Sequence, residues 1–163
     1  MKEVVIREIK RDELSKLEDM LYEAIYQPDE TNPIPRNIIE LPEIRVYIDN
    51  FGQKKDDYCL VADLNGEILG AVWIRILAGD IKGFGYIDNE TPEFAISLYK
   101  KYRNQGIGTK LMTVMIEYLR ENGYKQTSLN VKKDNYAVRL YKNMGFEVIG
   151  DDGEDYLMLL KLA

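Results

Sequence analysis

The six residues RNQGIG, from Arg103 to Gly108, combine a fixed positive charge with two closely spaced glycines. They follow an apolar run at 92 to 99 and precede residues of helical periodicity, which places them at a predicted strand-to-helix junction. The first backbone N–H groups of such a helix have no helical acceptor and carry the positive end of its dipole. Glycine allows close backbone approach and arginine suits phosphate oxygens, so the segment predicts an anion site.

Spacing argues against two common phosphate-binding loops. A Walker A loop needs lysine and then Ser/Thr directly after its last glycine, but Gly108 is followed by Thr109 and only then by Lys110. A dinucleotide loop needs a third glycine three positions after the second, where this chain has Leu111. A bare G-x-G is also compatible with a tight turn that binds nothing.

A second segment, NYAVRLYKNMGF at 135 to 146, changes this balance, although alone it is equally consistent with core packing. Together the two segments resemble the GCN5-related N-acetyltransferase (GNAT) family, from residue 91 to residue 150. The family's pyrophosphate loop reads R/Q-x-x-G-x-G/A, and its second motif reads N-x-x-A-x-x-x-Y-x-x-x-G-F. The second motif is matched, with an Asn-to-Ala interval one residue shorter, by Asn135, Ala137, Tyr141, Gly145 and Phe146.

The resemblance implies acetyl-CoA as co-substrate and no metal. The strands at 94 to 98 and 126 to 131 are expected to splay apart, so that the pantetheine arm lies between them like an added strand. Amides from Arg103 to Thr109 would surround the pyrophosphate. The complete set of implied cofactor-binding residues is Leu98, Tyr99, Lys100, Arg103, Asn104, Gln105, Gly106, Ile107, Gly108, Thr109, Asn130, Asn135 and Tyr141.

Two residues are implied to move protons. Tyr141 would protonate the sulfur of the departing CoA; the alternative is a core tyrosine with a satisfied hydroxyl. Glu93 would remove the amine proton directly or through water, and a structural or surface glutamate is an equally open alternative. The Leu98 N–H would polarise the thioester carbonyl.

Composition excludes several other chemistries. The chain has no histidine, which rules out Ser-His-Asp and Cys-His catalysis and histidine metal sites. Its single cysteine, Cys59, lies in the apolar run YCLVAD and is predicted to be buried. A net charge of −6 argues against nucleic-acid partners. The absence of a long apolar run or secretory signal predicts a cytoplasmic protein without a membrane partner.

The elements that position these residues follow from periodicity and turn chemistry. Strand 3 to 9 precedes a helix capped by Asp12, and a second helix covers 42 to 51. Asn65-Gly66 predicts a hairpin turn within 57 to 77. Strand 92 to 99, helix 106 to 122, strand 126 to 131, helix 135 to 144 and two final strands follow. The expected class is α/β (α+β) with the acyl-CoA N-acyltransferase fold, a mixed, mostly antiparallel six- or seven-stranded sheet flanked by about four helices, in one domain over 1–163.

The function expected from the resemblance is transfer of the acetyl group of acetyl-CoA to a primary amine of a small molecule or peptide, by direct attack in a ternary complex. A non-catalytic acyl-CoA-binding regulatory module is the main alternative, and a pure interaction domain ranks last. No segment selects the acceptor, and a monomer or homodimer is expected. Four aromatic residues either line the acceptor pocket or pack the core: Tyr22, Tyr26, Trp73 and Tyr86.

Overall fold

A seven-stranded sheet runs through the centre of the chain. The computed structural model describes residues 3–162. The strands are β1 Val5–Glu8, β2 Tyr58–Leu64, β3 Glu67–Arg75, β4 Glu93–Leu98, β5 Gln126–Lys132, β6 Glu147–Asp151 and β7 Asp155–Lys161. Their order is β1-β2-β3-β4-β5-β7-β6. Every neighbouring pair is antiparallel except β4 and β5, which confirms the predicted mixed, mostly antiparallel sheet.

Four α-helices flank the sheet, as predicted: α1 Leu17–Ala24, α2 Pro42–Arg45, α3 Ile107–Glu121 and α4 Ala137–Asn143. Three short 3-10 helices accompany them, at Arg11–Lys16, Arg36–Glu40 and Lys100–Tyr102. Most of the strand and helix bounds lie within a few residues of the sequence-based expectation.

The prediction that Asp12 caps the first helix is wrong. The helical segment begins at Arg11 as a 3-10 turn, so Asp12 lies inside its first turn. The Lys10 N–H instead donates to Glu13 Oε1 at 2.8 Å. Glu13 also forms an ion pair with Arg7 at 2.8 Å, which ties this turn to β1.

The second predicted helix is shorter than expected, because α2 ends at Arg45 and turns continue to Phe51. The physical reason is the buried Arg75 guanidinium, which donates to the carbonyl oxygens of Val46 at 2.9 Å and Asp49 at 2.6 Å. These carbonyls serve as side-chain acceptors, so the segment does not continue as a regular α-helix.

The hairpin between β2 and β3 turns where the sequence predicted. Asn65 has φ 53° and Gly66 has φ 89°, so both central residues are left-handed, as a two-residue primed turn requires. The Asp63 side chain accepts the Gly66 N–H at 2.6 Å and stabilises the turn. Cys59, in β2, is buried as predicted.

The sheet separates two hydrophobic layers, and β4 contributes to both. Phe94 packs edge-on against Phe146, with ring centroids 5.7 Å apart, in the layer of α3 and α4. Ser97 faces the other way, where its hydroxyl donates to the Met20 carbonyl of α1 at 2.7 Å. Because side chains alternate along a strand, the odd-numbered residues of β4 face α1 and the even-numbered residues face α3 and α4.

Candidate active site

A gap separates β4 from β5. The two strands pair only at Glu93 and Ser128. The Ser128 N–H donates to the Pro92 carbonyl at 3.2 Å, whereas the Tyr99 N–H donates to β3, at the Leu69 carbonyl, at 3.0 Å. Because backbone direction alternates along a strand, the N–H and C=O groups of residues 96 and 98 point towards β5, where no strand pairs with them. The expected separation of these strands is therefore present.

The loop before α3 presents a row of free donors. Within residues 3–162, no hydrogen bond uses the backbone N–H groups of residues 104 to 109. The chain bends here because Asn104 and Gly106 adopt left-handed conformations, with φ of 62° and 82°. Gly106 immediately precedes α3, a helix of 15 residues. Six free amides at the positive end of a helix form a cradle for an anion.

The Arg103 side chain does not offer a free charge to this cradle. Its Nε donates to the Leu98 carbonyl at 3.1 Å, and its guanidinium also pairs with Glu23 at 3.3 Å. Arg103 therefore fastens the loop to the end of β4 and to α1. Lys100 is engaged in a similar way, by Glu30 at 2.9 Å.

Other implied cofactor residues also use their side chains in hydrogen bonds within the chain. The Tyr99 hydroxyl donates to Asp19 Oδ2 at 2.9 Å and thus faces α1. The Gln105 side chain donates to the Lys101 carbonyl at 3.0 Å. Asn135 accepts the Ala137 N–H at 2.9 Å, although the N-cap position of α4 is Tyr136 and not Asn135 as the sequence predicted. Tyr99 and Gln105 can thus contribute backbone groups, but their side chains are already occupied.

A cleft of about 340 Å³ crosses the sheet through the gap. Glu93 and Tyr141 both line this cleft, although the first belongs to the α1 face of the sheet and the second to α4 on the opposite face. Asn130 and Asn135 line it as well. A ligand in the gap therefore touches a carboxyl group on one side and a phenol on the other.

Glu93 is buried with half of its carboxylate unsatisfied. Its side chain accepts a hydrogen bond from the Tyr47 hydroxyl through Oε2. Its Oε1 is buried and has no partner among the described residues. Burial raises the pKa of Glu93 to about 7, although the Tyr47 hydrogen bond opposes this rise.

Two glycines make room for this carboxyl. A Cβ on Gly83 would lie 2.0 Å from Glu93 Oε1, and a Cβ on Gly85 would lie 3.1 Å from the carboxyl carbon. The first contact is impossible for a real side chain, so Gly83 is required by the position of Glu93. The loop that carries Gly83 and Gly85 thus packs directly against the buried carboxylate.

Tyr47 is the site residue that sequence reasoning missed. Its hydroxyl donates to Glu93 and accepts the Phe84 N–H at 2.8 Å, so it joins the carboxyl to the 76 to 92 loop. Trp73 holds Tyr47 in turn, because the indole N–H donates to the Tyr47 carbonyl at 3.1 Å. Burial raises the pKa of Tyr47, which keeps the phenol protonated as a donor. No sequence pattern joins Tyr47 to Glu93.

Tyr141 presents a free hydroxyl to the cleft. Its ring packs edge-on against Phe146, with centroids 5.9 Å apart, and burial raises its pKa to about 12. The hydroxyl has no hydrogen-bond partner within residues 3–162. Of the aromatic residues proposed for the acceptor pocket, Tyr26 and Trp73 line the cleft. The hydroxyls of Tyr22 and Tyr86 bond to Ile34 and Asn89 instead.

Comparison with known proteins shows which family has this arrangement of strands, loop and cleft. The family model described as "Acetyltransferase (GNAT) family" matches residues 19–146. An N-alpha-acetyltransferase from Sulfurisphaera tokodaii is 31% identical over 113 residues, which cover 63% of this chain and 68% of that protein. A mycothiol acetyltransferase from Corynebacterium aurimucosum is 30% identical over 80 residues, 48% of this chain but only 24% of that protein. The chain thus spans about a quarter of the second relative.

Solved structures show the same fold. An acetyltransferase of GNAT family from Streptococcus pneumoniae superposes with a TM-score of 0.71 at 22% identity, over 99% of this chain and 100% of that one. The PaiA N-acetyltransferase from Thermoplasma acidophilum, solved in complex with coenzyme A, has a TM-score of 0.67 at 21% identity, over 98% and 99% of the two chains. The expected acyl-CoA N-acyltransferase fold is therefore confirmed.

Within residues 3–162, no helix is both long and apolar enough to cross a membrane. The matched region, residues 19–146, contains most of α1, the separated strands, the amide cradle, Glu93 and Tyr141. This chain belongs to the GNAT family of acetyltransferases.

Proposed function

We propose that the chain is an N-acetyltransferase that moves the acetyl group of acetyl-CoA to a primary amine, by direct attack within a ternary complex. The observation that carries the proposal is the cleft through the sheet, which joins a buried carboxyl on one face to a free phenol on the other. The family membership of the chain supports the same reaction class.

Acetyl-CoA fits the unpaired backbone of the gap and the loop. The pyrophosphate would accept hydrogen bonds from the free amides of residues 104 to 109, where the helix dipole favours negative charge. The pantetheine amides would pair with the backbone of residues 96 and 98, in the manner of an added strand. The Leu98 N–H would donate to the thioester carbonyl, because no strand pairs with it. The Leu98 carbonyl already accepts a hydrogen bond from Arg103.

Glu93 would accept the amine proton. An ammonium group must lose a proton before nitrogen can attack the thioester carbon, and the Glu93 carboxyl lines the cleft with one oxygen unpartnered among the described residues. A carboxyl with a pKa of about 7 is partly ionised at neutral pH, and it holds a transferred proton far better than an exposed glutamate does.

Tyr141 would supply the proton that the leaving sulfur needs. Its pKa of about 12 keeps the phenol protonated at neutral pH, and its hydroxyl faces the cleft without a partner. The bond from carbonyl carbon to sulfur would break while the new carbon–nitrogen bond remains, and the sulfur would take the phenolic proton. The attacking nitrogen would then lose its second proton, which restores the Tyr141 phenol.

The proposal is tested by offering acetyl-CoA and a panel of primary amines to the full chain, with free CoA thiol and acetylated amine measured together. Tyr141→Phe is expected to lower kcat by about 100-fold or more, because one general acid typically contributes that much, with little change in the dissociation constant for acetyl-CoA. The exposed Tyr136, which precedes α4, supplies the matched control Tyr136→Phe, for which we expect no change.

Full turnover by Tyr141→Phe at saturating acetyl-CoA would remove Tyr141 from the role of acid. If calorimetry shows binding of acetyl-CoA but no amine is acetylated, the chain is a non-catalytic acyl-CoA-binding module and the proposed enzyme activity is wrong.

A further inference from the structure

The α1 side of the cleft forms a chamber with an apolar wall. We use the term acceptor chamber for the space bounded by Leu21, Ile25, Ile44, Trp73 and Phe84. Glu93 reaches this space from β4, because the odd-numbered residues of that strand face α1. Tyr141 lies on the opposite side of the sheet, so the acceptor chamber is distinct from the part of the cleft that faces α4.

Charged side chains are scarce along the cleft. Within the described residues 3–162, the charged side chains that line the cleft are those of Glu93, Lys132 and Asp155, and the last two form an ion pair at 3.0 Å. Glu93 is therefore the one carboxylate without a cationic partner. It is 5% exposed, and its Oε1, which has no partner among the described residues, is buried beside Gly83.

We infer that the acceptor is a small primary amine that carries one positive charge on an aliphatic or aromatic group, and not a polyamine. The inference rests on the proposed function and specifies the acceptor of the same site. The single ammonium would pair with Glu93 and pass a proton to its carboxylate, while its apolar group would contact the chamber wall. The cleft volume of about 340 Å³ must hold this group together with the acyl end of acetyl-CoA, which favours a small acceptor.

A second ammonium would have no partner in the chamber. Burying an uncompensated charge against apolar side chains is strongly unfavourable, since the charge loses its hydration without gaining an ion pair. The same wall gains free energy from each methylene or ring that it removes from water. The missing partner for a second charge and the apolar wall therefore both favour a monoamine over a polyamine.

The test compares hexylamine with cadaverine, which have equal numbers of heavy atoms and differ by a terminal methyl against a second ammonium. We expect kcat/KM for hexylamine to exceed that for cadaverine by about tenfold or more, as a mismatch in an apolar pocket typically produces. Phenylethylamine presents the single ammonium on an aromatic group, and its turnover supports the inference. Faster turnover of a short peptide that begins with phenylalanine would contradict the preference for a small acceptor. Equal or faster acetylation of cadaverine or spermidine would overturn it.

A binding measurement separates failure of this inference from failure of the proposed reaction. Trp73 is the only tryptophan of the chain and lines the chamber, so its fluorescence reports amine binding in the presence of CoA. A response to hexylamine but not to cadaverine, without acetyl transfer, would reject the reaction and support the acceptor class. A response to cadaverine at equal or lower concentration would overturn the acceptor class.

A charge placed on the wall gives a second, independent test. Phe84 is 54% exposed at the rim, so Phe84→Glu adds a second carboxylate without emptying the core. We expect this variant to raise the ratio of cadaverine to hexylamine kcat/KM by about tenfold, because a charged partner now compensates the second ammonium. The matched control is Ile81→Glu, in the same loop and 41% exposed but outside the cleft lining, which should leave the ratio unchanged. An unchanged ratio in Phe84→Glu, or an equal rise in Ile81→Glu, would contradict the inference.

Discussion

The buried carboxyl of Glu93 has two oxygens in unlike surroundings. Oε2 accepts the Tyr47 hydroxyl, whereas Oε1 has no partner in the described part of the chain. An unsatisfied buried oxygen is unfavourable for folding and is therefore the feature to expect where a ligand will bind. The consequence for stability and the consequence for activity can be measured separately.

Stability is expected to fall as pH rises through the Glu93 transition. The folded-state pKa of about 7 lies above the ordinary value of 4.5, so between these values the folded chain holds a proton that the unfolded chain loses. The penalty is absent below the unfolded value and complete above the folded one, where it reaches about 3 kcal/mol. Glu93→Gln should therefore gain free energy of unfolding relative to the parent at about pH 8 but not at about pH 4.

Urea unfolding of both proteins across this pH range measures the difference. Glu90→Gln removes a nearby exposed carboxyl and serves as the control, with no pH-dependent gain expected. A Glu93→Gln advantage that is the same at both pH values would contradict the raised pKa.

Tyr47 is expected to act as a positioning residue for Glu93. Its hydroxyl bond favours the ionised carboxylate, so Tyr47→Phe should raise the Glu93 pKa further. The acidic limb of the kcat/KM profile, which rises as the base loses its proton, should move up by about one pH unit. Tyr86→Phe deletes a hydroxyl from the same region that bonds only to Asn89, and its profile should match the parent. A Tyr47→Phe enzyme with reduced rate but an unmoved limb would indicate a purely structural role.

At the scale of elements, the two glycines of the loop before α3 differ in backbone conformation. Gly106 has φ 82°, a conformation that L side chains rarely adopt, and Gly106→Ala should lower acetyl-CoA affinity about tenfold by displacing the amides from 104 to 109. Gly108 has an ordinary helical environment in which an added Cβ would lie 3.6 Å from Leu98 and 3.7 Å from Leu140.

Gly108→Ala is therefore the matched control, and its acetyl-CoA affinity should stay within about twofold of the parent because the contacts are ordinary packing distances. Calorimetric titration with acetyl-CoA measures both variants. Equal losses of acetyl-CoA affinity in the two variants would show that the left-handed conformation of Gly106 does not determine the position of the loop amides.

The element that carries Tyr47 depends on a buried ion pair. Arg75 and Asp57 lie 2.9 Å apart, with side chains 3% and 0% exposed. The same guanidinium holds the carbonyls of Val46 and Asp49, on either side of Tyr47. The pair thus connects β3 to the segment that carries Tyr47, whose hydroxyl holds the Glu93 carboxyl.

At the scale of the whole molecule, this pair should contribute strongly to folding. Asp57→Asn leaves the Arg75 charge buried without a counter-ion and should lower the free energy of unfolding by about 3 kcal/mol. The Arg45–Glu18 pair, 2.7 Å apart with side chains 35% and 47% exposed, is the matched surface case. Glu18→Gln should change stability by less than about 1 kcal/mol. Chemical denaturation compares the two, and a similar small loss in both would contradict the importance of the buried pair.

Much of the fold was predictable because its signals are local. The hairpin followed from Asn65-Gly66, whose left-handed preference does not depend on distant residues. The helix after the cradle followed from apolar spacing, and the resemblance of two motifs indicated which ligand the cradle takes. One error lay where a distant side chain decides, because Arg75 shortens α2. The other was local, because Glu13 and not Asp12 accepts the Lys10 N–H that precedes the first helical turn.

The sequence alone determined the strand-to-helix cradle and the motif that contains Tyr141, because both depend on short-range spacing and on the chirality of the backbone. Only the tertiary structure decided that Glu93 and Tyr141 face one cleft from opposite sides of the sheet. It also decided that Tyr47 holds Glu93 and that Arg103 pairs with Glu23. These contacts join residues 46 and 80 positions apart. Such contacts arise from sheet order and packing, which leave no periodic trace in the chain.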